Sequence, residues 1–221
     1  MHLDRGELIL SPTDLVNHLG CAHLTTLDLR AARGEIEAPH ATDESLQLLF
    51  RHGLDHERAY LARLAESGRE VLEVPADADV TVRAATTSEA MRAGVDVIYQ
   101  ATFLHDGERG HADFLLRAER PSRLGDHSYD VADTKLARRM KVAALLQMAG
   151  YARHLERLQG QPPEWLIVVT GDGEERRFRS RDAAAFERRA FRRLRTAIEE
   201  DAETLPEPCA QCSQCRWAPR C

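Results

Sequence analysis

Apolar residues recur along this chain every three or four positions in some segments, and continuously or every second position in others. The first pattern is typical of amphipathic helices, and the second of strands buried on both faces or on one. Helices are predicted over residues 11–29 (with a kink or break near Gly20), 43–67, 87–93, 142–158 and 182–201. Strands are predicted over residues 70–74, 95–103, 111–117, 128–137, 164–170 and 176–179. This order of elements predicts an α/β protein.

Local signals mark where some of these elements begin and turn. Ser11-Pro12-Thr13-Asp14 combines a capping serine, a proline suited to the first helical position and an acid that completes a capping-box pattern. Asp106-Gly107 lies between two strands and tolerates the positive φ that a tight hairpin needs. We expect one domain, in which a small mixed sheet flanked by helices occupies residues 69–201. A helical flank (1–68) precedes this core, and a cysteine-rich segment (202–221) follows it.

The composition is that of a globular protein. With 43% hydrophobic and 30% charged residues among 221, the chain can bury a sizeable core. It has no run of about 18 apolar residues and no visible secretory signal, so we expect a cytoplasmic protein that does not enter membranes. The net charge of −6 argues against binding nucleic acid by bulk electrostatics, although a local basic patch is compatible with it. The arginine-rich helix over 182–201 is interpreted as a solvated face.

The segment 129–137, YDVADTKLA, carries candidate chemistry. Asp133 and Lys135 are two residues apart on a strand, so their side chains share one face. Asp113 lies on the strand before it, and Gln147 and Tyr151 lie four residues apart on the helix after it. Alone, the Asp133–Lys135 pair fits a same-face ion pair as well as a catalytic role. Unpaired buried charge is costly, however, and carboxylates beside a lysine suit Mg²⁺ or Mn²⁺ and phosphodiester hydrolysis.

The cysteines form a second candidate site. There are five, namely Cys21, Cys209, Cys212, Cys215 and Cys221, and the last four follow the pattern C-x2-C-x2-C-x5-C. Disulfides are rare in the cytoplasm, so such a cluster indicates a metal. Two occupants compete: a zinc ion held by the four C-terminal thiolates, or an iron–sulfur cluster held by three of them and Cys21.

Together these motifs resemble the RecB-family branch of the PD-(D/E)xK nucleases, in particular members with a 4Fe–4S cluster. Similar in pattern are uncharacterised bacterial RecB family nucleases, AddB-type nuclease domains and CRISPR-adaptation exonucleases. The family's histidine motif resembles GLDHERAYL, which contains His56, and its metal aspartate resembles Asp113 in GHADFLL. Its acid-x-Lys motif matches Asp133 and Lys135, with aspartate in place of the commoner glutamate. Its Gln-x3-Tyr motif matches Gln147 and Tyr151, which follow the other motifs along the chain.

The resemblance implies a PD-(D/E)xK restriction-endonuclease-like core, and a Mg²⁺- or Mn²⁺-dependent nuclease acting on single-stranded DNA or DNA ends. His56, Asp113 and Asp133 would hold the metal, Lys135 would assist the attack, and Gln147 and Tyr151 would position the strand. A structural 4Fe–4S cluster would be bound by Cys21, Cys212, Cys215 and Cys221, which leaves Cys209 as a spare thiol. DNA phosphates would contact Arg138, Arg139 and Lys141.

Two alternatives to an active nuclease stay open. One is a DNA-binding module that does not cleave, and the other is a structural subunit of a larger repair or CRISPR-adaptation complex. The sequence ends at Cys221, the last expected cluster ligand, whereas relatives often continue into further domains. We therefore expect either a natural short form or a fragment of a longer protein that has additional domains or partners.

Overall fold

A six-stranded mixed sheet forms the centre of the protein in the computed structural model, which describes residues 1–39, 44–137 and 140–221. A separate N-terminal hairpin pairs β1 (His2–Asp4) with β2 (Glu7–Ile9). The six strands of the main sheet are β3 (Val71–Glu73), β4 (Val97–His105), β5 (Glu108–Ala118), β6 (Ser128–Thr134), β7 (Trp165–Val169) and β8 (Glu175–Arg179). They lie side by side in chain order. The pairs β3–β4 and β6–β7 are parallel, and the other neighbours are antiparallel.

Helices flank this sheet and precede it. They are α1 (Pro12–Gly20), α2 (Ala22–Ala32), α3 (Glu44–Glu66), α4 (Val80–Ala93), α5 (Val142–Gln159) and α6 (Ser180–Glu200), and a 3-10 turn spans Cys212–Gln214. On one face of the sheet, residues of α4 and α5 pack against Ile98, Leu115 and Val131. On the other face, α3 supplies Tyr60 and Leu64. The predicted α/β class, with a mixed sheet between helices, is confirmed. No helix within the described ranges is long and apolar enough to cross a membrane.

Two local predictions are confirmed at the level of hydrogen bonds and backbone angles. Ser11 caps α1: its side chain accepts from the backbone N–H of Asp14, while the Asp14 carboxylate accepts from the backbone N–H of Ser11 at 2.7 Å. Asp106 and Gly107 join β4 to β5 with φ angles of 47° and 69°. Positive φ at both central residues matches the twist of the strands that the turn connects.

Other boundaries differ from prediction. The fourth helix begins at Val80, seven residues before the predicted start at Thr87, because Asp79 caps it by accepting from the N–H of Thr81. The strand expected over 128–137 ends at Thr134, so Lys135 lies just beyond it. The N-terminal hairpin was not predicted, since each of its strands has only three residues.

The alternation of side chains between the two faces reverses near the middle of the sheet. In β4, Val97 and Tyr99 pack on the α3 side, whereas Ala101 and Phe103 pack on the α5 side. Residues two apart normally share a face, so the strand must be locally irregular between them. Gln100 has φ 57° and supplies this irregularity.

Candidate functional site

The two predicted aspartates face each other at the end of a strand pairing. Strands β5 and β6 are paired from Ala118, opposite Ser128, to Phe114, opposite Ala132. Asp113 and Asp133 occupy the next position on each strand, where the backbone pairing stops. There Thr134 donates to Oδ2 of Asp113 from its backbone N–H at 2.9 Å and from its hydroxyl at 3.2 Å. The Asp113 side chain thus replaces the missing backbone partner and is held beside Asp133.

Asp133 is the most buried charge of the site. Its exposed fraction is 3%, and its Oδ2 atom is in contact with the Lys135 ammonium, which is the polar partner of this oxygen. Burial raises the pKa of Asp133 well above its usual value, and the nearby Asp113 carboxylate raises this pKa further. The positive charge of Lys135 lowers the pKa of Asp133 and so opposes both effects. Two carboxylates close together in a buried place repel each other, and a bound cation would relieve this repulsion.

Lys135 is kept charged by the acids around it. Burial lowers the pKa of Lys135, but the carboxylates of Asp133 and Asp113 act in the opposite direction and leave this pKa raised. The backbone at Lys135 is fixed by a hydrogen bond from its N–H to the carbonyl of Val169 at 2.9 Å. Gly171 packs closely against Leu136, the residue after Lys135. A Cβ at Gly171 would overlap the carbonyl oxygen of Leu136. The backbone from which the Lys135 side chain extends is therefore fixed by two close contacts.

Gln147 and Tyr151 lie at this site, as their i, i+4 spacing on α5 predicts. The Gln147 amide donates to the Tyr151 hydroxyl at 2.9 Å and also contacts Thr13 of α1 at 3.4 Å. Tyr151 is buried. Burial raises its pKa, and the charges of Asp133 and Asp113 raise it further, so the hydroxyl stays protonated beside the aspartates.

The helix α3 brings Glu57 to the site, a residue that sequence reasoning did not select. Glu57 is buried, and its carboxylate accepts from the Gln100 amide. Burial raises the pKa of Glu57, and so does the charge of Asp113, while Lys135 lowers it. The only sequence signal was an acid on the otherwise apolar face of α3 that carries Tyr60 and Leu64.

His56, the predicted metal ligand from the same helix, lies at the sheet edge nearby. Its Nε2 is 3.4 Å from the carbonyl of Val169, the carbonyl that also accepts from Lys135. Among the described residues, His56 does not belong to a group of three metal-ligating side chains with the two aspartates. Its role as a ligand stays a prediction.

A cavity of about 270 Å³ opens beside Lys135 and extends along α5. Its walls include Val16 of α1, the exposed Lys141 and Gln147. Arg138 and Arg139, which were expected to contact DNA together with Lys141, lie outside the described residues. Lys135 and Gln147 both line this cavity, which is large enough to admit part of a ligand beside them.

All five cysteines line a second cavity, of about 300 Å³, and all are free thiols. Cys21 comes from the break between α1 and α2, and the others from the C-terminal segment. The pKa of Cys221 is raised by partial burial and by the nearby Cys215, Cys21 and Cys212. These are the three partners that the resemblance implies for it. Cys209 lines the same cavity, with its Sγ 3.7 Å from that of Cys212.

The C-terminal segment is anchored to α2 by Trp217. Its side chain is fully buried, packs against Leu24 and Leu27, and donates from Nε1 to Asp28 at 2.6 Å. Arg216 donates to the same carboxylate at 2.6 Å. Gln211 is bound to α1 by a hydrogen bond to the Asn17 side chain at 3.0 Å. The thiols of the two chain ends are therefore held together by contacts that do not involve sulfur.

Neither site is complete without rearrangement. Within residues 1–39, 44–137 and 140–221, no three His, Cys, Asp or Glu side chains are already close enough together to hold one metal ion. The donor types nevertheless fit the expected groups, because carboxylate oxygens suit Mg²⁺ or Mn²⁺ and thiolates suit zinc or iron–sulfur clusters. Loading either site would need side-chain rotation, together with loss of the thiol protons in the case of the cysteines.

Comparison with known proteins does not identify a family. No family model matches the chain, and no curated protein matches it. The chain is similar to a solved structure described as the crystal structure of SSO0001, with 14% sequence identity and a TM-score of 0.43. That similarity covers 100% of this chain and 88% of the other. A likeness this low carries no functional argument, so what is established is a mixed α/β fold with a six-stranded sheet, and function rests on the geometry of the two sites.

Proposed function

We propose that the protein is a Mg²⁺- or Mn²⁺-dependent deoxyribonuclease of the PD-(D/E)xK type that hydrolyses phosphodiester bonds in single-stranded DNA or at DNA ends. One observation carries this proposal. Asp113 and Asp133 lie opposite each other with Lys135 beside them, and Asp133 is almost completely buried. A site that served only as an ion pair would not need the second carboxylate, which weakens the folded state by repulsion.

The residues have separable roles in this proposal. A divalent cation, when bound by Asp113 and Asp133, supplies charge neutralisation at the phosphate and lowers the pKa of a water molecule. Lys135 stays protonated and would stabilise negative charge on the phosphate. Tyr151 also stays protonated, and its hydroxyl, which accepts from the Gln147 amide, would donate to a phosphate oxygen or a base. Glu57 adds a third carboxylate close enough to Asp113 and Lys135 for their charges to affect it.

The cysteine cavity supports a structural 4Fe–4S cluster as part of the same proposal. Cys21 lines the same cavity as the C-terminal thiols, which favours a ligand set that includes this N-terminal cysteine. Such a cluster would join the α1–α2 break to the C-terminal segment. Because Thr13 of α1 contacts Gln147, the cluster would also support the helix that carries Gln147 and Tyr151. Zinc bound by the four C-terminal cysteines is the competing occupant.

The test is a cleavage assay on end-labelled single-stranded DNA with Mn²⁺, using protein purified without oxygen. We expect wild-type protein to shorten the DNA, and Asp133→Asn and Lys135→Ala to be slower by at least about 100-fold, since each removes a group that acts on the transferring phosphate. Arg181→Ala is the control, because it removes one positive charge from a side chain that is 82% exposed and lies outside the candidate site.

Equal inactivity of wild type and variants, with DNA binding retained, would defeat the nuclease proposal and favour a module that binds DNA without cleaving it. Inactivity without any DNA binding would instead favour a structural subunit. Product lengths from substrates labelled at either end would separate exonuclease from endonuclease activity.

A further inference from the structure

A basic groove runs between α6 and the junction of α1 with α2, away from the aspartates. Its α6 wall carries Arg189, Arg192 and Arg193, and its other wall carries His18 and Leu19. The groove volume is about 700 Å³. The three arginines are exposed and follow one another at helical spacing, so their guanidinium groups form a row over about 6 Å of helix axis.

The charge of this row is not balanced by the protein. In the described parts of the chain, none of the three arginines forms an ion pair, and the acid among the groove residues, Glu200, lies at the far end of α6. Arg195 on the same helix differs, because it binds Glu108 at 2.8 Å. Burial lowers the pKa of His18, and the charge of Arg193 lowers it further, so the positive potential reaches across the groove.

The helix α1 connects this groove with the candidate active site. Val16 lines the cavity beside Lys135, and Leu19, three residues later, lines the basic groove. Three residues correspond to about 4.5 Å along a helix axis. A ligand that passes over α1 can therefore reach both places. A chain of phosphates fits this arrangement better than a compact anion, because the arginines form a row and the protein as a whole is negatively charged.

We propose that the arginine row of α6 binds the phosphate backbone of a single DNA strand whose end is engaged at the aspartate site. This inference rests on the proposed function for its ligand. It assigns a role to Arg189, Arg192 and Arg193 that a merely solvated helix face would not have. It also places part of the DNA contact at a distance from the reacting phosphate.

The experiment compares two triple variants of the full chain by fluorescence anisotropy with labelled oligothymidylate in EDTA, where no cleavage occurs. The groove variant is Arg189→Gln/Arg192→Gln/Arg193→Gln. The control variant is Arg92→Gln/Arg176→Gln/Arg181→Gln, which removes the same charge from exposed arginines outside the groove. Thermal unfolding of both variants checks that they fold like wild type.

We expect the groove variant to bind at least about tenfold more weakly than the control, and the slope of log K against log salt to fall in magnitude by about 2, as for three lost phosphate contacts to a single strand. Equal affinities of the two variants would overturn the inference. So would a loss of binding to phosphatidylglycerol vesicles without a loss of binding to DNA, because the groove would then be a membrane contact.

The result is separable from that of the nuclease assay. If wild type binds DNA through the groove but does not cleave it with Mn²⁺, the groove inference stands and the nuclease proposal fails. If wild type cleaves DNA and the groove variant binds and cleaves like the control, the nuclease proposal stands and the groove inference fails.

Discussion

Replacing Lys135 by alanine should destabilise the protein in a pH-dependent way. Lys135 is the cation paired with the buried Asp133, whose pKa burial and Asp113 already raise. A carboxyl group with a raised folded-state pKa weakens the fold when it is ionised, and this penalty disappears as the pH falls through that pKa toward the unfolded value. Lys135 reduces the penalty. Its own raised pKa means that this stabilisation is fully present at neutral pH and is lost only in strong alkali.

The size of the effect follows from the burial of the two partners. Removing one partner from a fully buried pair costs roughly 3–5 kcal/mol. The Asp133 side chain is 4% exposed, but that of Lys135 is 34% exposed, so solvent screens part of the interaction. We therefore expect Lys135→Ala to lower the free energy of unfolding by about 2 kcal/mol at pH 8. For a chain of this size the melting temperature should fall by roughly 4–8 °C.

Thermal unfolding at pH 8, 6.5 and 5, with and without Mn²⁺, measures this effect. The deficit of Lys135→Ala should be largest at pH 8 and shrink toward pH 5 as Asp133 binds a proton. Mn²⁺ at about 100 times its Kd should add about 2.7 kcal/mol to the free energy of unfolding, because it binds the folded state and not the unfolded chain. Lys141→Ala should melt like wild type. If Lys135→Ala also melted like wild type at pH 8, or if its deficit did not change with pH, the electrostatic coupling of the two aspartates to Lys135 would be refuted.

Two further predictions concern the support of each site. Gly171→Ala places a methyl group against the Leu136 carbonyl and should displace the neighbouring Lys135. We expect Mn²⁺-dependent cleavage to fall by on the order of 100-fold. The free energy of unfolding should fall by only about 1–3 kcal/mol. A variant that kept full activity would show that the position of Lys135 is not critical. Among the cysteines, Cys21→Ser should abolish the brown colour and visible absorption of anaerobically purified protein, whereas Cys209→Ser should retain them. Colourless wild-type protein that holds one zinc ion, lost in Cys209→Ser and kept in Cys21→Ser, would instead establish the four-thiolate zinc site.

Much of the fold was accessible from the sequence, because its signals are local. The capping box at Ser11 and Asp14 and the hairpin turn at Asp106-Gly107 depend on residues within four positions of one another. The helix around Gln147 and Tyr151 was predicted within one residue at its end, since its apolar positions repeat regularly. The start of α4 was missed because its first turns carry no clear apolar stripe.

The site itself was predicted in part. The order of Asp113, Asp133, Lys135, Gln147 and Tyr151 along the chain indicated which side chains to examine, and the structure brings these residues together. Glu57 was not selected, although it shares a helix face with Tyr60 and Leu64. Helical spacing places an acid on that face but cannot show which distant strand the face meets. His56 was selected by its motif, and the structure gives it a contact with the Val169 carbonyl instead.

The sequence by itself determined the types of residue available for chemistry and the elements that carry them: two aspartates and a lysine at strand ends, and thiols at both ends of the chain. Tertiary structure decided which of these meet. The side chains of β4 change faces at Gln100, near Asp113, where the pairing of β5 with β6 stops. The regular alternation of a strand cannot reveal this change. Nor can it reveal that Trp217 binds Asp28 and so brings the C-terminal thiols to Cys21. Both depend on contacts between residues far apart in sequence, whose free energy exists only once the chain has packed.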